Sequence, residues 1–223
     1  MAIGLGSIMG FDLGINFDYP YRSLNVTEFW RRWHITLSQW LRDYIYIPLG
    51  GNRKGRVRQY YNLMVTMLLG GLWHGAAWTF VVWGAGHGAA LCAHKICLPW
   101  LNKIESNKFT RAVSWLLTFS FVAFLWIFFR ASSFQAAGQV ISGIFTDFEW
   151  AYLPVFIERR AVWCAMLTII FALHFVPRRV WDSVRDRFIA APWWVKLVLF
   201  IILIQLVLQF ASATVQPFLY SQF

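Results

Sequence analysis

Residues 112–129 read AVSWLLTFSFVAFLWIFF, eighteen positions without a charge, closed by Arg111 and Arg130. A helix rises about 1.5 Å per residue, so roughly 20 residues cross a hydrocarbon layer about 30 Å thick. This stretch meets that requirement within the fraying of helix ends, and it points to a membrane-embedded helical protein. Two later runs repeat the pattern. Residues 161–176 are apolar except for Thr168 and His174, and Pro177-Arg178-Arg179 ends them. After Lys196 no charge occurs as far as Phe223, and 195–211 is the obvious span there. Trp193 and Trp194 precede it as an interfacial anchor.

Composition agrees. Of 223 residues, 59% are hydrophobic and only 13% charged, with 21 Phe and 14 Trp. Soluble domains sit nearer 45–50% apolar and about 25% charged. That balance excludes a disordered chain, a nucleic-acid tail and most soluble enzymes. Net charge is +10, from 20 Lys and Arg against 10 Asp and Glu. In this context the bases mark loops and anionic headgroups, and no nucleic-acid partner is expected. Cys92, Cys97 and Cys164 lie in apolar stretches and form no disulfide framework. Residues 1–13 have neither a basic n-region nor a small-residue cleavage site, so they are not a signal peptide.

Loop charges set an orientation. Residues 50–58 carry Arg53, Lys54, Arg56 and Arg58 without an acid; 99–111 and 177–196 are also basic in balance. Residues 131–158 carry Asp147, Glu149 and Glu158 without a base. The positive-inside rule puts the three basic loops in the cytoplasm and the acidic loop and uncharged tail outside. Arg130, Arg159 and Arg160, at the borders of the acidic loop, count against it. Both flanks of residues 60–97 are basic, so this stretch crosses an even number of times. Gly70, Gly71, Gly75, Gly84, Gly86 and Gly88 break it. Broken helices at membrane depth need cover from protein or water. The stretch is therefore expected as a re-entrant pair or tight hairpin, with His74 near its turn.

Residues 25–46 differ. Asn25-x-x-Glu28 fits a capping box. Trp30, Trp33, Leu37, Trp40, Leu41 and Tyr44 recur at three- and four-residue steps, the pattern of one amphipathic helix lying on or dipping into the cytoplasmic face. His34 falls on its apolar side. The expected fold class is all-α: a polytopic integral membrane protein with about five membrane-embedded helices plus this amphipathic or re-entrant one. Its parts are an amphipathic helix and basic loop at 25–58, the hairpin at 60–97, and spans at 111–130, 160–177 and 194–212.

The candidates for chemistry are histidines. No nucleophile-elbow, zinc-protease, phosphate-loop or dinucleotide fingerprint occurs. His94 lies near Cys92 and Cys97, but on a helix positions 92 and 97 point about 140° apart, so no metal site is expected. His174 borders an interface. His74 stands in Gly70-Gly71-Leu72-Trp73-His74-Gly75-Ala76-Ala77-Trp78. An ionisable group inside a membrane is costly and faces a cavity or a partner. Flanking glycines allow close approach to the backbone. That is the profile of a general base in a water-poor tunnel; a packed histidine bonded to a carbonyl fits the same residues.

Several motifs resemble the membrane-bound O-acyltransferase family. They are Asn16-Phe17-Asp18-Tyr19-Pro20-Tyr21, Phe29-Trp30-Arg31-Arg32-Trp33-His34-Ile35-Thr36-Leu37-Ser38 and Leu41-Arg42-Asp43-Tyr44-Ile45-Tyr46-Ile47-Pro48-Leu49-Gly50-Gly51. Gly71-Leu72-Trp73-His74-Gly75, Trp83-Gly84-Ala85-Gly86-His87-Gly88, Phe124-Leu125-Trp126-Ile127-Phe128-Phe129-Arg130-Ala131 and the ending Pro217-Phe218-Leu219-Tyr220-Ser221-Gln222-Phe223 continue it. The nearest branch is the bacterial alginate O-acetyltransferase membrane subunit. The resemblance implies an O-acyltransferase of the bacterial inner membrane that moves acetyl from a cytoplasmic thioester, such as acetyl-CoA, to a hydroxyl of an exported polysaccharide. It implies His74 as catalytic and His34 as the second functional position. Trp73, Arg42, Asp43 and Tyr44 are implied as substrate-binding or lining residues. The thioester is a co-substrate, no bound cofactor is implied, and the implied partners are membrane lipid, the polysaccharide acceptor and a periplasmic partner acetyltransferase. Family proteins are about twice this long, so the chain is expected to match their C-terminal half. D-alanyl transfer to teichoic acid, and a non-catalytic scaffold or acyl channel for a partner transferase, remain open. A permease is disfavoured, because no paired acidic ion site lies at membrane depth.

Overall fold

The computed structural model describes residues 2–210. The end of the last expected span and the motif at 217–223 lie outside the described residues. Among those described there is no strand. Eleven α-helices run in the order α1 (Ala2–Ile8), α2 (Val26–Arg32), α3 (Ile35–Leu41), α4 (Arg56–Trp73), α5 (Trp78–Leu101), α6 (Lys108–Arg130), α7 (Phe134–Phe145), α8 (Leu153–Arg159), α9 (Ala161–His174), α10 (Arg178–Ala190) and α11 (Trp193–Phe210). A π-helical turn, Arg42–Tyr46, continues α3. The chain divides into two compact units, at residues 159 and 160.

The first unit is organised by the α4–α5 hairpin. Its helices touch through glycine: a Cβ at Gly71 would collide with the Phe80 carbonyl oxygen, and one at Gly84 with the Met67 carbonyl oxygen. Cys92 Sγ, further along α5, reaches the Tyr60 carbonyl at 3.6 Å. Pairing 71 with 84 and 60 with 92 makes the helices antiparallel. Small residues let backbones approach this closely, the usual means of helix association in lipid. Helix α6 closes on α5 where Gly86 faces Leu125. It starts at a capping box in which Thr110 N donates to Asn107 Oδ1 (2.9 Å) and Asn107 N donates to Thr110 Oγ1 (3.0 Å). Phe29, Met67, Trp83, Leu91, Val122 and Leu125 are buried between these elements.

Helix α6 is long and apolar enough to cross a membrane by itself. Two bent pairs pass the same test only jointly: α7 with residues 150–159, bent by 86°, and α9 with α10, bent by 102°. Helix α9 has 14 residues, about 21 Å, short of a hydrocarbon layer.

Four features differ from the sequence expectation. Gly70, Gly71, Gly84, Gly86 and Gly88, expected to break 60–97, lie inside α4 and α5, and of the six glycines only Gly75 stands at the break between them. The single amphipathic helix over 25–46 is broken at Trp33 and His34 into α2 and α3. The capping box at its start is half formed: Asn25 Oδ1 accepts from Glu28 N (2.8 Å), but Glu28 Oε2 accepts from Leu24 N (2.9 Å) and Oε1 holds Arg32. The stretches expected as loops at 131–158 and 177–196 carry helices α7 and α10. In α7, Ser133 Oγ accepts from Ala136 N at 3.1 Å and caps the first turn. In α10, Arg185 pairs with Asp182 at 3.0 Å on one face. In α10, charge marks a solvated helix face rather than a loop; α7 is uncharged, and the acids of 131–158 lie beyond it.

Candidate active site

His34 owes its position to the break between α2 and α3. It sits in the left-handed region, at φ 43 and ψ 56, which costs a non-glycine residue about 1–2 kcal/mol. Segment 16–18 offsets that cost by replacing the lost helical partners. Asp18 N donates to the Arg32 carbonyl and Ile35 N donates to the Asn16 carbonyl, both at 2.9 Å. Asn16 Oδ1 accepts from Thr36 N and from Thr36 Oγ1, both at 3.1 Å. Phe17 packs edge-on to Trp33 at 4.9 Å and lies 5.8 Å from the His34 ring. Partial burial pushes the His34 imidazole below its ordinary pKa.

His74 ends α4, where its N–H donates to the Gly71 carbonyl at 3.0 Å. Its side chain is only 6% exposed. Trp73 and Phe129 lie 5.0 Å from its ring and Trp83 5.3 Å, all edge-on. Three helices, α4, α5 and α6, thus hold one imidazole in an aromatic cage. The two histidines, 40 positions apart in sequence, meet around Trp73, whose ring is 6.3 Å from His34 and 5.0 Å from His74. His34 and Trp73 line an open cleft of about 350 Å³ together with Thr36, Leu37 and Trp40. His74 is not on its surface; it lies directly behind Trp73, which is 50% exposed.

The other expected site residues fall elsewhere. Arg42 and Asp43 form an exposed pair, with Nε to Oδ1 at 2.7 Å and Nη2 to Oδ2 at 3.0 Å. That pair holds the Asp43 carboxyl below its usual pKa. Arg42 lines two different clefts. Tyr44 is exposed and reaches the histidine cleft only through Trp40, 5.5 Å away.

The structure adds residues to which sequence reasoning gave no role. Asn16 builds the His34 turn, and Trp83 and Phe129 cage His74. His87, one turn after Trp83, is fully buried and accepts at Nδ1 from Trp30 Nε1 (3.3 Å), tying α2 to α5. The spacing of Trp83 and His87, and of Trp126 and Phe129, is the available signal. Among the described residues no three His, Cys, Asp or Glu side chains converge as metal ligands. His94 Nδ1 instead bonds Thr27 Oγ1 at 2.9 Å. The arrangement offers one imidazole on a cleft wall and a second sheltered behind an indole.

Residues 2–137 match the model of the membrane-bound O-acyltransferase family. The chain is 51% identical over 151 residues to a probable alginate O-acetylase from Pseudomonas fluorescens, a match covering 68% of this chain and 30% of that protein. It is 46% identical over 144 residues to a peptidoglycan O-acetyltransferase from Helicobacter pylori, covering 65% and 27%. It is 31% identical over 146 residues to a teichoic acid D-alanyltransferase from Bacillus subtilis, covering 60% and 36%. The chain thus spans about a third or less of the length of these curated relatives.

Proposed function

The chain belongs to the membrane-bound O-acyltransferase family, and from that premise we propose that it transfers acetyl from a cytoplasmic thioester to a hydroxyl of an exported polysaccharide such as alginate. The observation that carries this reading is the meeting of His34 and His74 around Trp73, with His34 on the cleft wall and His74 behind the indole. His74 takes the proton from the acceptor hydroxyl as its oxygen bonds to the acetyl carbon. The carbon–sulfur bond breaks, and the proton passes on to the departing thiolate. His34, on the cleft wall, orients the acceptor or polarises the thioester carbonyl. From the cleft, the reacting oxygen reaches His74 past the Trp73 indole, which must turn aside. General-base catalysis contributes about 10²–10⁴-fold, and holding both substrates in a dry site supplies the rest. The donor is a co-substrate, with no bound cofactor. Trp73 lines the donor or acceptor path, while Arg42, Asp43 and Tyr44 stand at its periphery.

The protein works in the bacterial inner membrane as a multi-pass protein. About five embedded helices, α4 and α5 included, accompany the interfacial α2 and α3. A periplasmic acetyltransferase is the partner that receives or completes the transfer. The test is expression of the chain and of His74→Ala at equal membrane levels, with polymer-bound acetyl as the readout. Acetylation unchanged by the substitution rejects the general-base role.

Two other readings have an observation behind them. Likeness to the teichoic acid enzyme favours D-alanyl transfer; comparing acetyl and D-alanyl thioesters as donors decides. The deep burial of His74 favours a non-catalytic scaffold or acyl channel. Turnover of radiolabelled acetyl-CoA by purified protein without a partner excludes that.

A further inference from the structure

At the opposite end of α4 from His74 lies a second cleft, of about 590 Å³, walled by the π-helical turn, the 47–54 loop and α5. Arg42, Arg53, Lys54 and Lys95 line it, and no Asp or Glu does. Arg42 is neutralised by Asp43; Arg53, Lys54 and Lys95 have no ion-pair partner among the described residues. A neighbouring cleft of about 660 Å³ shares Gln59 and Lys95 and adds Arg56. The cations therefore converge on a concave surface.

The cradle is rigid. Asn62, fully buried, donates through Nδ2 to the Gly51 carbonyl at 2.9 Å and to the Leu49 carbonyl at 3.3 Å. Gln59 Nε2 donates to the Tyr46 hydroxyl at 3.3 Å. Gly51 N donates to the Tyr46 carbonyl at 2.8 Å. The bases on this loop are thus presented by a pinned backbone.

We propose that this cleft binds the phosphate of an anionic phospholipid headgroup. Basic pockets at the ends of membrane helices are suited to such phosphates. Exposed Ile47 lines this cleft and exposed Trp100 the neighbouring one, apolar surface that suits glycerol and acyl chains and does nothing for a soluble anion. The 18 residues of α4 put the cleft roughly 27 Å from His74 along the helix. The proposal stands apart from acyl transfer and survives its failure.

The full chain is reconstituted in nanodiscs of phosphatidylcholine with a minor fraction of phosphatidylglycerol, and co-purifying lipid is counted by native mass spectrometry. Wild-type protein retains phosphatidylglycerol in excess of its bulk fraction. Arg53→Gln/Lys54→Gln and, separately, Lys95→Gln reduce that excess at least about fivefold. Arg187→Gln, in α10, removes one charge elsewhere and leaves it unchanged. Retention at bulk proportion in the wild type overturns the proposal. So does equal loss in all three variants, which marks general charge attraction. Displacement of the lipid by added coenzyme A, with a coenzyme A affinity that falls in the same variants, assigns the cleft to a soluble phosphate and also overturns it.

Discussion

The α4–α5 hairpin and helices α9 to α11 differ in where their apolar side chains end up. In the hairpin Met67, Trp83 and Leu91 are buried, and two glycines bring backbone against backbone. In α9 and α10 no residue is buried, and Ile170 and Leu208 are examples of large side chains left exposed. Lipid solvates apolar helices such as α9 and α11 without any gain from pressing them together, and α10 carries its charges to water. The hairpin, by contrast, is held by fit, and fit fixes rings in place. It is there, with Phe129 of α6 added, and within the stretch matching the family, that His74 and its cage are found.

The largest expected effect tests whether chemistry follows the packing. His74→Ala lowers polymer acetylation at least about 100-fold. His174→Ala, at the end of α9, leaves it within about twofold, because His174 is not among the residues lining the His34–Trp73 cleft. Equal losses in both erase the contrast. Membrane levels of each variant are matched before acetyl is measured.

Next in size is the fit itself. Gly84→Leu drives a side chain into the Met67 carbonyl, which is backbone and cannot swing away; the expected cost is about 3 kcal/mol. Gly143→Ala in α7 meets nothing within 4 Å, and gains up to about 1 kcal/mol in helix propensity. Thermal unfolding of both variants in one detergent sharpens the comparison. A Gly84→Leu protein as stable as the wild type contradicts a hairpin closed through glycine.

The even number of crossings over 60–97 follows from its basic flanks, but the role of Gly71 and Gly84 does not: sequence reads them as breaks, whereas they lie inside α4 and α5 and let the two backbones touch. The cap at Asn25 is legible because Asn three residues before Glu is a local signal. The His34 turn is not. Nothing in 25–46 reports a break, since the hydrogen bonds that stabilise it come from Asn16 and Asp18, brought back by the chain reversal at Pro20. Helix α10 is hidden in the sequence because its charges read as a loop, and the uncharged α7 because acids follow it at 147, 149 and 158. Arg42 and Asp43 were placed by motif membership, which carries no direction; the π-helical turn aims them away from the histidines.

The smallest effects separate the two kinds of order at single hydrogen bonds. Asn16→Ala removes the acceptor for Thr36 N and Oγ1. It is expected to cost about 1–2 kcal/mol and to lower acetylation, because the left-handed turn at His34 then relaxes toward a continuous helix. Ser133→Ala removes the cap of α7 and costs about 1 kcal/mol, with acetylation unchanged. The two substitutions are similar in size and in chemistry, so stability alone does not distinguish them; the discriminating quantity is activity per folded molecule. A matched loss of activity in both places the effect in the membrane fold at large. A loss confined to Asn16→Ala locates it at the turn that delivers His34 to Trp73.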